Sequence, residues 1–173
     1  IPRTVERAVS AGASLGVDLM TIHAAGGKAM IRAAKSAALA AGADAPKILA
    51  VTILTSLDQS DLDDIGITRS MTAQVEALGR LACGNGADGI VCSPREVAAL
   101  RAALGPQALL VTPGVRPAGA DVGDQKRVAT PAQAVADGST HLVVGRPILA
   151  APDPRAAARA IAAEMAQSLN PNS

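Results

Sequence analysis

Short apolar runs alternate along this chain with longer amphipathic stretches, and that alternation sets the predicted elements. A helical pattern begins at once, with Val5, Ala8, Val9 and Leu15 recurring on one side and Pro2 near its start. Residues 18–23 then read as a strand, 28–41 as an alanine-rich helix ended by Gly42, and 47–54 as a second, fully buried strand. A helical turn around 61–65 precedes Ser70, which suits the N-cap of a helix over 71–83. Residues 88–92 form a third strand, and Ser93 with Glu96 has the spacing of a capping box on a helix running to Leu104. Leu109-Leu-Val111 and Leu142-Val-Val144 are the fourth and fifth strands. Between them Thr130-Pro-Ala-Gln133 opens a helix, and an amphipathic helix over 154–168 closes the chain.

The order is one helix followed by five strand-helix units, with no composition break that would divide residues 1–173 into two domains. Such alternation predicts an α/β fold with a parallel sheet and helical crossovers. A doubly wound open sheet would accept five strands, but it normally carries a glycine-rich phosphate turn after its first strand. Ala24-Ala-Gly-Gly27 is only a thin version of that turn. A (β/α)8 TIM barrel places its phosphate site after strands seven and eight. If the last two strands here are those, the chain holds the helix after strand 3 and the last five units. The opening Ile-Pro-Arg-Thr, without Met, fits a chain with something ahead of it.

The chemistry gathers at the last two strands. One runs into Thr112-Pro-Gly-Val-Arg-Pro117 and the other into Gly145-Arg146-Pro147, so each ends in a glycine and an arginine suited to an anion. Between them, residues 113–129 carry three glycines, two prolines, two aspartates and three cationic side chains with no apolar periodicity. Long loops of this kind in compact domains are usually lids or binding loops. We therefore expect residues 115–128 to be mobile without ligand and ordered with it.

Composition narrows the ligand. The chain is 49% hydrophobic, which excludes a disordered polypeptide, and it contains no Phe, Tyr or Trp. Without aromatic stacking platforms, and with 16 basic residues against 15 acidic, nothing argues for a nucleic-acid partner. A small phosphorylated ligand needs only one or two arginines. Cys83 and Cys92 lack metal-ligand spacing, fit core packing, and agree with a reducing, cytoplasmic compartment. No run is long and apolar enough to suggest a membrane span.

Five segments taken together carry a resemblance: Ile1-Pro-Arg-Thr4, Leu54-Thr-Ser56, Thr112-Pro-Gly-Val-Arg-Pro117, Gly123-Asp-Gln-Lys-Arg127 and Val144-Gly-Arg-Pro147. In this order and over essentially the whole chain, they resemble orotidine 5'-monophosphate decarboxylase of the bacterial type. The resemblance implies a TIM barrel that converts orotidine 5'-monophosphate to uridine 5'-monophosphate and carbon dioxide in pyrimidine biosynthesis, without metal or organic cofactor. It implies that Gly145 and Arg146 hold the phosphate and that Arg116 is a second ligand-binding arginine. Gln125 would bridge phosphate and pyrimidine from the lid, as an amide can donate to one and accept from the other. Thr55 would read the pyrimidine ring. Thr4, with Ile1 and Pro2, matches the segment that reaches a neighbouring subunit's site, which implies a homodimer.

The family's Asp-x-Lys-x-x-Asp lies just before the Ile-Pro-x-Thr segment, so the catalytic lysine is expected upstream of Ile1. None of Lys28, Lys35, Lys47 or Lys126 matches it. Residues 1–173 alone are therefore expected to be inactive. Arg3 stands where the family more often has asparagine, and nothing is built on it. The alternatives are a sugar-phosphate decarboxylase or synthase on a related barrel, and a non-catalytic nucleotide-binding protein.

Other polar residues have plainer readings. His23, at a strand end, matches a histidine common in the family, but a catalytic histidine needs a positioned partner. His141 starts a strand and should face solvent. Asp58, Asp61, Asp63 and Asp64 lack the spacing of a calcium loop and suit a solvated helix start. Finally, if these are strands four to eight, the first and last of them should be two unpaired edges with a gap between.

Overall fold

The structure, a computed structural model, describes residues 1–117 and 128–169. Its elements run α1 (Pro2–Ala13), β1 (Leu19–His23), α2 (Gly27–Leu39), β2 (Lys47–Val51), α3 (Gln59–Asp64), α4 (Met71–Cys83), β3 (Gly89–Val91), α5 (Val97–Leu104), β4 (Leu109–Thr112), α6 (Pro131–Ala136), β5 (His141–Leu142), α7 (Arg146–Leu149) and α8 (Pro154–Leu169). The expected caps are in place. Ser70 Oγ accepts from Ala73 N–H, Thr130 Oγ1 accepts from Gln133 N–H, and Ser93 and Glu96 close a reciprocal capping box. The acidic run is a helix start as expected, with Asp58 and Asp61 forming a second capping box on α3.

All five strands are parallel and lie in sequence order β1-β2-β3-β4-β5. Each crossover therefore steps one strand in the same direction. Since such crossovers share one hand, the helices all fall on one face of the sheet. This single winding belongs to a barrel wall; a doubly wound sheet reverses its strand order part-way. Among the described residues β1 pairs only with β2 and β5 only with β4, so both outer edges are open there, as anticipated.

The register separates the two faces. Ile22, Ala50, Ile90 and Leu110 pair across β1 to β4 on the helix side, and all are buried in one core with Met30, Ile31, Ala34, Val75, Leu78, Val97 and Leu100. Fully burying an isoleucine or leucine there contributes roughly 1.5–3 kcal/mol. The next row, His23, Val51, Val91, Val111 and His141, faces the other side. It is exposed at both ends and buried at Val111. That row joins the last residue of β1 to the first of β5, the stagger that tilted strands need in order to curl. Leu19 and His141, from the two open edges, line one cleft at the N-terminal ends of the strands.

Polar anchors set the strand starts. Asp88 Oδ2 accepts from Ile48 N–H at 2.8 Å, while both of its oxygens lie 2.8 Å from Lys35 Nζ, tying α2, β2 and β3 together. Arg101 on α5 donates to the carbonyls of Gly105, Ala108 and Gly138, clamping the approaches to β4 and β5.

Three boundaries differ from the sequence reading. β2 stops at Val51 rather than continuing to residue 54; Thr52 makes the last bonds to β3, its amide and its hydroxyl both donating to Val91 O at 3.2 and 3.0 Å, and the chain then leaves the sheet. β5 is only His141–Leu142, although Val143 N–H still reaches Thr112 O at 3.0 Å. After three intervening residues, Arg146 and Pro147 open the short helix α7, which no apolar periodicity announced.

Candidate active site at the C-terminal edge of the sheet

In a parallel sheet every strand delivers its following loop to the same edge, which is where barrel enzymes and α/β sheets place their sites. Thr55 lies in the turn after β2, Arg116 four residues beyond β4, and Gly145 and Arg146 three and four residues beyond β5. α1 leads back into β1, so Ile1, Pro2 and Thr4, at its start, lie toward that same edge. The topology thus gathers seven of the eight anticipated ligand-binding residues at one edge. Gln125, the eighth, lies in 118–127, outside the described residues.

The local settings differ. Arg116 is 9% exposed; its Nη1 donates to Val115 O at 2.8 Å and its backbone N–H donates to Ala129 O at 3.0 Å. Val115, fully buried, makes a parallel bridge with Ala129. The start of the long loop is therefore tied to its end. Val115 and Arg116, which we expected to belong to a mobile segment, are instead part of the scaffold.

Gly145 and Arg146 are exposed where β5 gives way to α7. Gly145 is the N-cap of α7, and its carbonyl accepts from Ile148 and Leu149 N–H. A β-carbon added to Gly145 would meet nothing within 4 Å, so the glycine is not demanded by crowding inside the chain. It suits close approach of a ligand to the backbone.

Thr55 is half-buried in a turn closed by Leu57 N–H on Leu54 O. The grip of Thr52 on Val91 O fixes where that turn leaves the sheet. Sequence reasoning missed Thr52, whose only signal is a threonine ending an apolar run. His23 and His141 are exposed, as is the N-terminal segment, with Ile1 at 83%. Among the described residues, no helix is long and apolar enough to cross a membrane.

A profile of the orotidine 5'-phosphate decarboxylase / HUMPS family matches residues 1–161. The chain is 56% identical over 170 residues to the orotidine 5'-phosphate decarboxylase of Moorella thermoacetica, a match covering 95% of this chain and 68% of that protein. It is 58% identical over 163 residues to the enzyme of that name from Anaeromyxobacter sp. strain K, covering 94% of this chain and 70% of the relative. The crystal structure of orotidine 5'-phosphate decarboxylase from Lactobacillus acidophilus superposes with a TM-score of 0.83 at 43% identity, over 95% of this chain and 70% of that one. With its winding, its open edges and these likenesses, this chain is a partial TIM barrel belonging to the orotidine 5'-phosphate decarboxylase / HUMPS family.

Proposed function

We propose that this chain carries the phosphate- and pyrimidine-binding part of an orotidine 5'-monophosphate decarboxylase, a carboxy-lyase of pyrimidine biosynthesis. The observation that carries the reading is Gly145-Arg146 at the C-terminal end of β5, in a chain more than half identical to decarboxylases of that name. Arg146 and the Gly145 amide hold the phosphate, and Arg116 binds the ligand from its buried seat after β4. Thr55 reads the pyrimidine ring. Gln125 is assigned the link between phosphate and ring on its motif alone.

The division of labour follows from the chemistry. Contacts to a remote phosphate supply binding energy that can be used where carbon dioxide leaves, which raises turnover rather than only tightening the ground state. The proton for the resulting carbon must come from an acid within reach. Lys35 is committed to Asp88 on the helix side, and Lys47 starts β2 at the opposite edge. Neither can serve. Lys28 and Lys126 do not match the family's lysine, so on this reading the lysine comes from outside residues 1–173, and these residues alone are inactive. Ile1, Pro2 and Thr4 are proposed to contact a second subunit's site, giving a cytoplasmic homodimer.

Competition binding tests the ligand class. Uridine 5'-monophosphate should bind and resist displacement by a pentulose phosphate. Equal competition by the sugar phosphate would favour the related-barrel synthase chemistry.

A further inference from the structure

β5 presents Gly145 and Arg146, yet its named pairing with β4 is only Val111 with His141 and Thr112 with Leu142. Side-chain hydroxyls extend that attachment. Thr140 Oγ1 accepts from Leu110 N–H and donates to Leu110 O, both at 3.0 Å, beside the backbone bond from Thr140 N–H to the same carbonyl at 2.9 Å. Just before it, Ser139 Oγ lies 2.6 Å from Thr112 Oγ1, and Thr112 is fully buried.

The same position is used before β3. Gly86-Ala87-Asp88 and Gly138-Ser139-Thr140 both start at a glycine of positive φ, +103° and +109°, and both end in a side chain that accepts from the second residue of the preceding strand. Asp88 can only accept when ionised, and it takes Lys35 as counter-ion. A hydroxyl donates as well as accepts, so Thr140 holds both the N–H and the C=O of Leu110 without introducing a charge.

The chain after β4 leads to Arg116 and the chain after β5 leads to Arg146, so the offset between these two strands sets how the two guanidinium groups are placed. We propose that Thr112, Ser139 and Thr140 are positioning residues for the phosphate site, fixing β5 against β4 so that Gly145 and Arg146 address the anion together with Arg116. This rests on the phosphate reading of Gly145-Arg146.

The test is calorimetric titration of the full-length protein with uridine 5'-monophosphate and with uridine. Thr112→Val and Thr140→Val should each weaken the monophosphate about tenfold, the scale of one lost hydrogen bond, while uridine changes less than about twofold. Thr112→Ser, which keeps the hydroxyl, should restore binding. Ser139→Ala removes the half-buried partner and should weaken the monophosphate about threefold, which keeps the test open if a valine variant does not fold. Equal losses for both ligands, or no loss for either, would overturn the inference. Arg146→Ala separates the two readings. If it fails to discriminate between the ligands, the phosphate reading falls and this inference with it; if it discriminates while the hydroxyl variants do not, only this inference falls.

Discussion

Arg146 is the residue on which the functional reading is most exposed to test. Arg146→Ala should cost the binding of uridine 5'-monophosphate about 2 kcal/mol, the scale of a charge-assisted contact, and leave uridine nearly unchanged by calorimetry. Cys83 offers a test of packing. Burial first, and the Asp88 carboxylate second, push its thiol pKa above the ordinary 9.0. A group whose folded pKa is raised contributes stability that is complete below its unfolded pKa and is lost as pH rises through the folded value. The urea midpoint should therefore fall as the pH climbs above 9.0, and fall less steeply in Cys83→Ala. Arg116 shows where residue-level reading stopped. Its type and its motif are written in the chain, but its anchoring by Ala129, thirteen positions on, is not.

At the scale of elements, helix starts were the most legible feature because a cap is a local matter. Ser70, Ser93 and Thr130 each bond an amide two or three residues ahead, so spacing alone identifies them. Strand ends were less legible, since a strand stops where its neighbour stops pairing. The attachment of β2 to β3 gives the corresponding prediction. Asp88→Ala would leave the Ile48 amide buried without its side-chain acceptor and remove the partner of Lys35, and should destabilise the fold by about 2–3 kcal/mol. Lys35→Met should cost less, because it leaves the Asp88-to-Ile48 bond in place. Thermal melts of the two variants would check that order, and the reverse order would mean that the ion pair rather than the amide contact holds the strand.

For the whole molecule, the chain spans about 68–70% of the length of the decarboxylases it matches, and among the described residues its sheet ends in two unpaired edges. Leu19 and Val143 are exposed beside them. Unpaired parallel edges with apolar side chains recruit other strands. Residues 1–173 expressed alone should therefore self-associate in sedimentation and show no decarboxylation, whereas a polypeptide that adds the family's preceding strands should be soluble and active. Turnover by the short polypeptide would mean that a lysine within it does the chemistry.

The sequence by itself determined the alternation of elements, the helix caps, and which residues are proposed to meet the ligand, because periodicity, capping and motif chemistry all act over a few neighbouring positions. Periodicity left a barrel and an open sheet as alternatives, and the five family motifs pointed to the barrel. Only the tertiary structure shows the winding itself, through the one-way strand order and the staggered row from His23 to His141, which depend on pairings between residues far apart in the chain. The same holds for the hydroxyls of Thr52, Thr112 and Thr140. Each is an ordinary threonine in sequence, and its task is assigned by a partner far along the chain, a backbone carbonyl for Thr52 and Thr140 and the Ser139 hydroxyl for Thr112.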